Sequence, residues 1–317
     1  MNKSRETIIA ASLLVFCILS LVLGFTTNKQ SKTEDSKQSE VFKQLGSDKV
    51  LVVGLEGMIM DSFRSQSPFA KILNIAYVKK QLNEALENDK IKAVLLRMNS
   101  PGGTVAASQE VYQLVHKLRD KQKPVVVSMS DVCASGCYYI ASAADHIVAN
   151  PGTLTGSIGV ISSSLNFKGL LDKLGIADQT IKAGKYKDLG SVTRPLSLEE
   201  EAILNALVAD SYDQFLDDVA VGRGIDRAEL EQTAQGLVYT GRQAHGKNLV
   251  DELGTYEDAK VATRKVLNEK YFYIDADKIK FEETWRQNKL AGLDEIFSFK
   301  LGSILNKFDL PTLWMMN

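Results

Sequence analysis

Histidine is scarce in this chain of 317 residues, which contains three, at positions 116, 146 and 245. His116 and His245 lie in or after predicted helices among charged and small residues. His146 is the only one that could act as the base of a serine or cysteine triad, but it opens a predicted strand, where a structural role is more common. We therefore expect no histidine-based triad, and no metal site either, because no His or Cys pair with zinc-site spacing has partner ligands elsewhere.

An excess of positive charge is also missing, since 38 Lys and Arg residues face 39 Asp and Glu residues. A surface that binds nucleic acid normally needs a basic excess, so we expect no nucleic acid partner. The hydrophobic fraction of 44% suits one large or two modest globular domains. No internal repeat is visible.

Charged residues are absent from Thr7 to Phe25, a stretch long enough to cross the ~30 Å core of a bilayer as a helix. This stretch is either a membrane anchor or the core of a signal peptide. Gly24-Phe25-Thr26 is a poor cleavage site, which favours an uncleaved single-pass anchor in residues 1–25. Basic residues lie on both sides, so charge alone does not fix its orientation.

The rest of the chain divides by composition into three parts. Residues 26–49 are polar and form a predicted flexible linker. Residues 50–280 alternate between strand and helix patterns and form the predicted catalytic domain. Residues 281–317 form a predicted helical tail, which serves assembly or is an ordinary terminal core helix.

Strand and helix patterns alternate in the way that builds a parallel sheet. Lys49–Leu55 and Ile91–Met98 read as strands around an amphipathic helix. A further strand is predicted at Gln179–Ala183. A capping box at Ser197–Glu200 predicts a long, core-facing helix that ends at Gly222 or Gly224.

Ser135 lies in a turn of small residues, between a predicted buried strand that includes Val125–Met129 and a predicted helix over Tyr138–Ala144. Such a turn exposes one hydroxyl and directs backbone N–H groups at a ligand, which makes Ser135 a candidate nucleophile. An ordinary strand-to-helix connection has the same pattern.

Two further loops carry groups that a serine enzyme needs. Asn99–Thr104 contains Pro-Gly-Gly, whose backbone can approach a ligand and stabilise a developing negative charge, although a plain turn fits equally. It lacks the Lys-Ser/Thr ending of a phosphate-binding P-loop. Gly184–Ser191 supplies Lys185 and Lys187, and a lysine whose amine is neutral can activate a serine. A solvated loop is the alternative.

Taken together, these segments resemble the short, single-copy bacterial signal peptide peptidase A family. The resemblance covers about residues 50–260 and rests on six motifs in the same order and spacing: Asn-Ser-Pro-Gly-Gly at 99–103, Ala-Ser-Gly at 134–136, Thr-Gly-Ser-Ile-Gly-Val at 155–160, Gly-Lys-Tyr-Lys-Asp at 184–188, Tyr-Thr-Gly-Arg-Gln-Ala at 239–244 and Leu-Val-Asp-Glu-Leu-Gly at 249–254. It implies an α/β fold of Clp-protease/crotonase-like β-β-α units after one N-terminal transmembrane helix.

The resemblance also implies roles for individual residues. Ser135 is the expected nucleophile, and Lys187, rather than Lys185, is the expected general base. The backbone N–H groups of Gly102 and Gly136 are the expected oxyanion donors. Two supporting roles complete the expected site, with Gly103 shaping its loop and Ser157 orienting the lysine amine.

The activity implied is that of a membrane-anchored serine endopeptidase without a cofactor or metal. Its expected substrates are signal-peptide remnants and other hydrophobic peptides at the membrane. The expected assembly is a homo-oligomeric ring on the outer side of the cell membrane, in which an adjacent protomer can supply the lysine. Two alternatives remain open: a catalytically silent scaffold of the same fold, and a crotonase-type acyl-CoA enzyme.

Cys133 and Cys137 depart from the family pattern, because they flank Ser135 where small residues such as Ala and Gly are expected. A disulfide between them would strain the turn that holds the oxyanion donors. We therefore expect free thiols, which either pack as small apolar residues or undergo redox chemistry beside the nucleophile.

Overall fold

The computed structural model of the chain describes residues 48–61, 72–271 and 274–284. Thr7–Phe25, most of the linker and nearly all of the tail lie outside these ranges, so the predicted anchor and tail helix stay predictions. Among the helices that the structure describes, none is long and apolar enough to cross a membrane.

Strands and helices alternate along the described ranges. In chain order they are β1 (Lys49–Glu56), β2 (Met58–Met60), β3 (Ile72–Asn74), α1 (Ile75–Glu87), β4 (Ile91–Ser100), α2 (Val105–Asp120), β5 (Val125–Ala134), α3 (Gly136–Ser142), β6 (His146–Ala149), β7 (Leu154–Gly156), α4 (Lys168–Lys173), α5 (Leu198–Arg223), α6 (Arg227–Thr233), β8 (Val238–Thr240), α7 (Gly241–His245), β9 (Glu252–Leu253), α8 (Tyr256–Lys270) and β10 (Lys280–Glu283).

The main sheet has the order β10-β1-β4-β5-β6-β9, and every one of these neighbours is parallel. β7 adds to the far end of β5 in parallel, and β8 pairs antiparallel with β7. β2 and β3 form a separate parallel pair. The prediction of an α/β fold with a parallel sheet is confirmed.

Both faces of the sheet are covered, which explains why its central strands are almost continuously apolar. On one face, α1, α2, α3 and the end of α5 pack against residues such as Leu96 and Val127. On the other, α8 packs Ala259 and Leu267 against residues such as Val126. The sheet is therefore a rigid platform for the loops at its ends.

The predicted capping box is present, with the Ser197 side chain accepting from the Glu200 N–H and the Glu200 carboxylate accepting from the Ser197 N–H. α5 ends at Gly224 in the left-handed region. The prediction that the whole helix faces the core is wrong, because only its second half carries buried apolar residues such as Phe215 and Leu216, and Leu207 is 60% exposed.

The predicted strand at Gln179–Ala183 is also wrong, because this segment has no strand geometry and Ile181 is 99% exposed. A strand needs a neighbour to bond its backbone, and none lies beside this segment among the described residues. It belongs to a stretch that we call the arm, residues 161–197, which contains α4. The arm carries many exposed apolar side chains: Ile161, Leu165, Phe167, Leu170, Leu174, Ile176, Ile181, Val192 and Leu196.

Candidate active site

The candidate site lies at the carboxyl ends of β4 and β5. These strands are parallel neighbours, so the loops that follow them emerge at the same edge of the sheet. β4 ends at Ser100 and leads through Pro-Gly-Gly into α2, and β5 ends at Ala134 and leads through Ser135 into α3. Two motifs that are distant in sequence meet here for a topological reason.

Asn99 ties the two loops together. The register between β4 and β5 shifts after Met98, which leaves extra residues around Asp131 on β5. The Asn99 side chain accepts from the Val132 N–H and donates to Asp131 Oδ2, both at 3.1 Å. The sequence reasoning assigned Asn99 no role, although it is the first residue of the Asn-Ser-Pro-Gly-Gly motif.

The backbone of Ser135 is strained and fixed. Its φ is 53° and its ψ is −125°, a conformation that costs a non-glycine residue about 1–3 kcal/mol. The Ser135 N–H donates to the Gly156 carbonyl at 2.8 Å, and its carbonyl accepts from the Tyr139 N–H at 2.9 Å. Within the described part of the chain its Oγ has no hydrogen-bond partner, so the turn presents a free hydroxyl to the cleft.

The three glycines around Ser135 differ in the state of their N–H groups. The Gly102 N–H donates to Ser100 Oγ at 3.1 Å and is therefore occupied. The N–H groups of Gly103 and Gly136 have no acceptor among the described residues. They lie on adjacent segments, since a Cβ built on Gly136 would be 3.3 Å from the Gly103 nitrogen. Two free backbone donors therefore stand beside the serine.

Gly103 is also a site of close packing. A Cβ built there would lie 1.8 Å from the carbonyl oxygen of Ile59 on β2. The neighbouring backbone is bonded to the same strand, with the Thr104 N–H donating to the Ile59 carbonyl at 2.9 Å. A side chain at position 103 would therefore collide with the backbone of β2.

Ser157 shares a cleft of about 680 Å³ with Ser135. It follows β7, which pairs with the end of β5, and it too has a positive φ, of 52°. Its N–H donates to the Leu237 carbonyl at 2.7 Å. The structure thus brings Ser135, Ser157 and the glycine loop together.

A second, apolar cavity of about 420 Å³ also opens at Ser135. It is lined by Met58, Met60, Val105, Tyr139 and Phe215, with Tyr139 and Phe215 stacked at 4.6 Å between ring centroids. The pKa of Tyr139 is raised, mainly because the phenol is buried and secondly because it donates a hydrogen bond to Asp218. This phenol is therefore neutral at physiological pH and is not a base.

Lys187 is not brought to Ser135 within the described chain. It is exposed on the arm and does not line either cavity at the serine. Two neighbouring lysines of the arm form ion pairs, Lys182 with Asp188 and Lys185 with Glu199. The contact with Glu199 raises the pKa of Lys185. Lys187 has no carboxylate partner among the described residues, and the same is true of Lys173 on α4, so two amines of the arm are unpaired.

An ion-pair network joins the arm to the start of α5. Arg194 donates to Asp188 Oδ2 and to Glu200 Oε2, each at 2.8 Å. The Arg194 guanidinium, followed by the Ser197 N–H, lowers the pKa of Glu200 to about 2. Ion pairs, rather than apolar packing, therefore hold the loop that carries Lys187.

Cys133 and Cys137 form a disulfide, so the prediction of free thiols is wrong. Cys133 is the penultimate residue of β5, and Cys137 lies in the first turn of α3. The chain reverses between them, so their Cα atoms are 5.1 Å apart, within the range that a disulfide spans. Both residues are fully buried. The bond closes the turn around Ser135 and Gly136 covalently.

In the described ranges, no group of three His, Cys, Asp or Glu side chains could hold a metal ion. His146 lies on β6 with its Nε2 at 3.1 Å from Glu252 Oε2, and it lines neither cavity at Ser135.

Residues 117–269 match the model of peptidase family S49. A putative signal peptide peptidase SppA of Enterococcus faecium is 32% identical over 97% of this chain and 95% of its own length. The chain belongs to peptidase family S49. The resemblance to signal peptide peptidase A is thereby confirmed.

Two further relatives support the same class. The putative protease slr0021 of Synechocystis is 44% identical over 63% of this chain and 70% of its own length. The chloroplastic serine protease SPPA of Arabidopsis thaliana is 36% identical over 76% of this chain, but the match covers only 36% of that protein. At this level the prediction of a serine peptidase is confirmed.

Proposed function

We propose that this S49 peptidase is a membrane-anchored endopeptidase in which Lys187 activates Ser135. The observation that carries the proposal is the Ser135 turn, where a strained backbone presents an unbonded hydroxyl beside two unbonded N–H groups. Lys187 supports it because its amine has no carboxylate partner among the described residues, whereas the neighbouring Lys185 is paired with Glu199.

In the proposed reaction, Ser135 Oγ attacks the scissile carbonyl carbon and its proton passes to the neutral amine of Lys187. The carbonyl oxygen gains negative charge and accepts hydrogen bonds from Gly103 and Gly136. We assign the first donor to Gly103 rather than Gly102, because the Gly102 N–H is bonded to Ser100. The protonated lysine then donates to the leaving amine, and water hydrolyses the acyl enzyme in a second round of the same transfers. We assign Ser157, in the same cleft, the role of orienting the lysine amine.

We further propose that the lysine acts across a contact between two copies of the chain, in a homo-oligomeric ring. Two observations support this. Lys187 lies outside both cavities at Ser135 of its own chain. The arm that carries it exposes apolar side chains that include Ile161, Leu174 and Ile181, and such a surface favours burial against another protein.

The proposed substrates are hydrophobic peptides, including signal-peptide remnants. The apolar cavity at Ser135 fits a nonpolar side chain next to the scissile bond. We place the catalytic domain outside the cytoplasm, tethered by Thr7–Phe25. The Cys133–Cys137 disulfide supports this location, since disulfides persist mainly in oxidising compartments.

The test is hydrolysis of a fluorogenic apolar peptide by the full chain in detergent. Ser135→Ala and Lys187→Ala are each expected to lower kcat by about 10³-fold or more, because the two groups act as a unit. Lys185→Ala is the matched control and should retain activity. An assembled but inert wild type would favour the scaffold alternative, and an active Lys187→Ala variant would reject this lysine as the base.

A further inference from the structure

The two cavities at Ser135 share part of their lining. Ser135, Gly159, Val160 and Ile161 line both of them. The smaller cavity is apolar, whereas the larger one is also lined by residues of α5, α6 and the loop before β8. A peptide bound at Ser135 therefore has two chemically different surfaces within reach.

The larger cavity adds polar side chains from α5 and α6. Asn205 on α5, Glu231 on α6 and Gln235 after α6 line it together with apolar residues such as Val208, and Glu231 is the only charged side chain among its described lining residues. An extended peptide in this cavity meets amide groups and one carboxylate.

Glu231 has no cation partner within the described chain. The nearest arginine on its helix, Arg227, is engaged with Asp213 and Asp217 on α5 at 2.7 Å each. A carboxylate at the side of a substrate cleft, without a partner from its own chain, is available to a positive charge on a bound peptide.

The backbone around Glu231 is firmly held. Leu230 and Ala234, on either side, are each 1% exposed. The Tyr212 hydroxyl donates to the Ala234 carbonyl, and Gln235 Nε2 donates to the Glu231 carbonyl at 2.6 Å. The backbone that carries the Glu231 side chain is therefore held in place at the side of the cleft.

We propose that Glu231 determines specificity by binding a lysine or arginine side chain of the peptide substrate. This inference rests on the proposed function and adds a charge requirement to it. The cleft then prefers a peptide with a nonpolar residue beside the scissile bond and a basic residue farther along. Secretory signal sequences contain both features, since a basic segment precedes their apolar core.

The experiment measures binding, so that it remains informative if hydrolysis fails. Fluorescent apolar peptides carry a single Lys, Gln or Glu at each position in turn, and their Kd values are measured with the full-length Ser135→Ala variant in detergent. At one position we expect Lys to bind about three- to fivefold more tightly than Gln, the range of an exposed ion pair. Adding Glu231→Gln should abolish this ratio, and adding Glu231→Lys should reverse it in favour of Glu.

Glu229→Gln is the matched control, because Glu229 lies on the same helix and does not line the cleft. It should keep the wild-type Lys-to-Gln ratio. The proposal is overturned if Glu231→Gln leaves that ratio unchanged at every position, or if it weakens all peptides equally. Failure of the wild type to hydrolyse any peptide would instead contradict the proposed function.

Discussion

The Ser135 turn and the arm hold their key residues by opposite means. The turn is packed into the sheet, fixed by backbone hydrogen bonds to Gly156 and Tyr139 and closed by a buried disulfide. The arm lies outside the core, and its Lys187 loop is held by ion pairs through Asp188 and Arg194. The chain therefore builds its nucleophile completely, whereas it leaves the proposed base exposed.

The two residues of the proposed dyad are therefore held in place by different kinds of interaction. Burial and covalent closure allow the turn to hold a strained backbone at Ser135. The Asp188 carboxylate of these ion pairs is partly buried and that of Glu200 is buried, but no residue of the arm itself is fully buried. Ion pairs are weakened by salt, so we expect the position of Lys187 to depend on what the arm packs against.

The largest expected effect is a gain of activity on mixing. Ser135→Ala and Lys187→Ala variants should each be inactive alone. When they are dissociated, mixed in equal amounts and reassembled, about a quarter of the sites should pair an intact serine with a neighbour's intact lysine. Peptide hydrolysis measured before and after mixing tests this, and no recovery from a properly reassembled mixture would show that each chain supplies its own lysine.

The next largest effect is expected at Gly103. Gly103→Ala should lower kcat by about 10²-fold or more, because the methyl group would collide with the Ile59 carbonyl and displace a proposed oxyanion donor. Gly152→Ala is the matched control, since a Cβ there meets nothing within 4 Å. Circular dichroism and the size of the assembly separate a local change from misfolding. A folded Gly103→Ala variant with full kcat would reject the assignment.

A smaller effect is expected from the disulfide. The double variant Cys133→Ala/Cys137→Ala should lose about 2 kcal/mol of unfolding free energy, the scale for a short closed loop, and some kcat with it. Urea denaturation with and without reductant measures this, and the reductant should affect the wild type but not the double variant. Alkylation in denaturant without reductant, followed by mass spectrometry, should label neither cysteine of this pair. Labelling of both would contradict the bond.

The smallest effect concerns Glu200, where the arm joins the start of α5. Because the pKa of Glu200 is lowered to about 2, its stabilising contribution is present above the ordinary value of 4.5 and is lost as the pH falls toward 2. The difference in unfolding free energy between the wild type and Glu200→Gln should therefore shrink from pH 5 to pH 2. A constant difference across this range would show that the Arg194 contact is not the cause.

Local patterns predicted much of the fold, and they failed where packing decides. The capping box at Ser197 is present because it depends on residues three apart. The apolar pattern of α5 predicted burial along the whole helix, and this was wrong for the first half. Periodicity shows which face of a helix is apolar but not what covers that face. Gln179–Ala183 has residues typical of a strand but no neighbouring strand, and its apolar side chains lie exposed on the arm.

The sequence by itself determined the parallel α/β architecture, the position of Ser135 at the end of a buried strand and the family of the chain, because these depend on local periodicity and on motifs in fixed order. Only the tertiary structure decided that Asn99 ties the two loops together, that Gly103 rather than Gly102 has a free N–H, and that Cys133 bonds Cys137. It also decided that Lys187 lies away from Ser135 and that Glu231 lines the same cleft. The physical reason is that each of these facts is a distance between segments, and such distances arise only when the parallel strands align their ends and the helices pack over them.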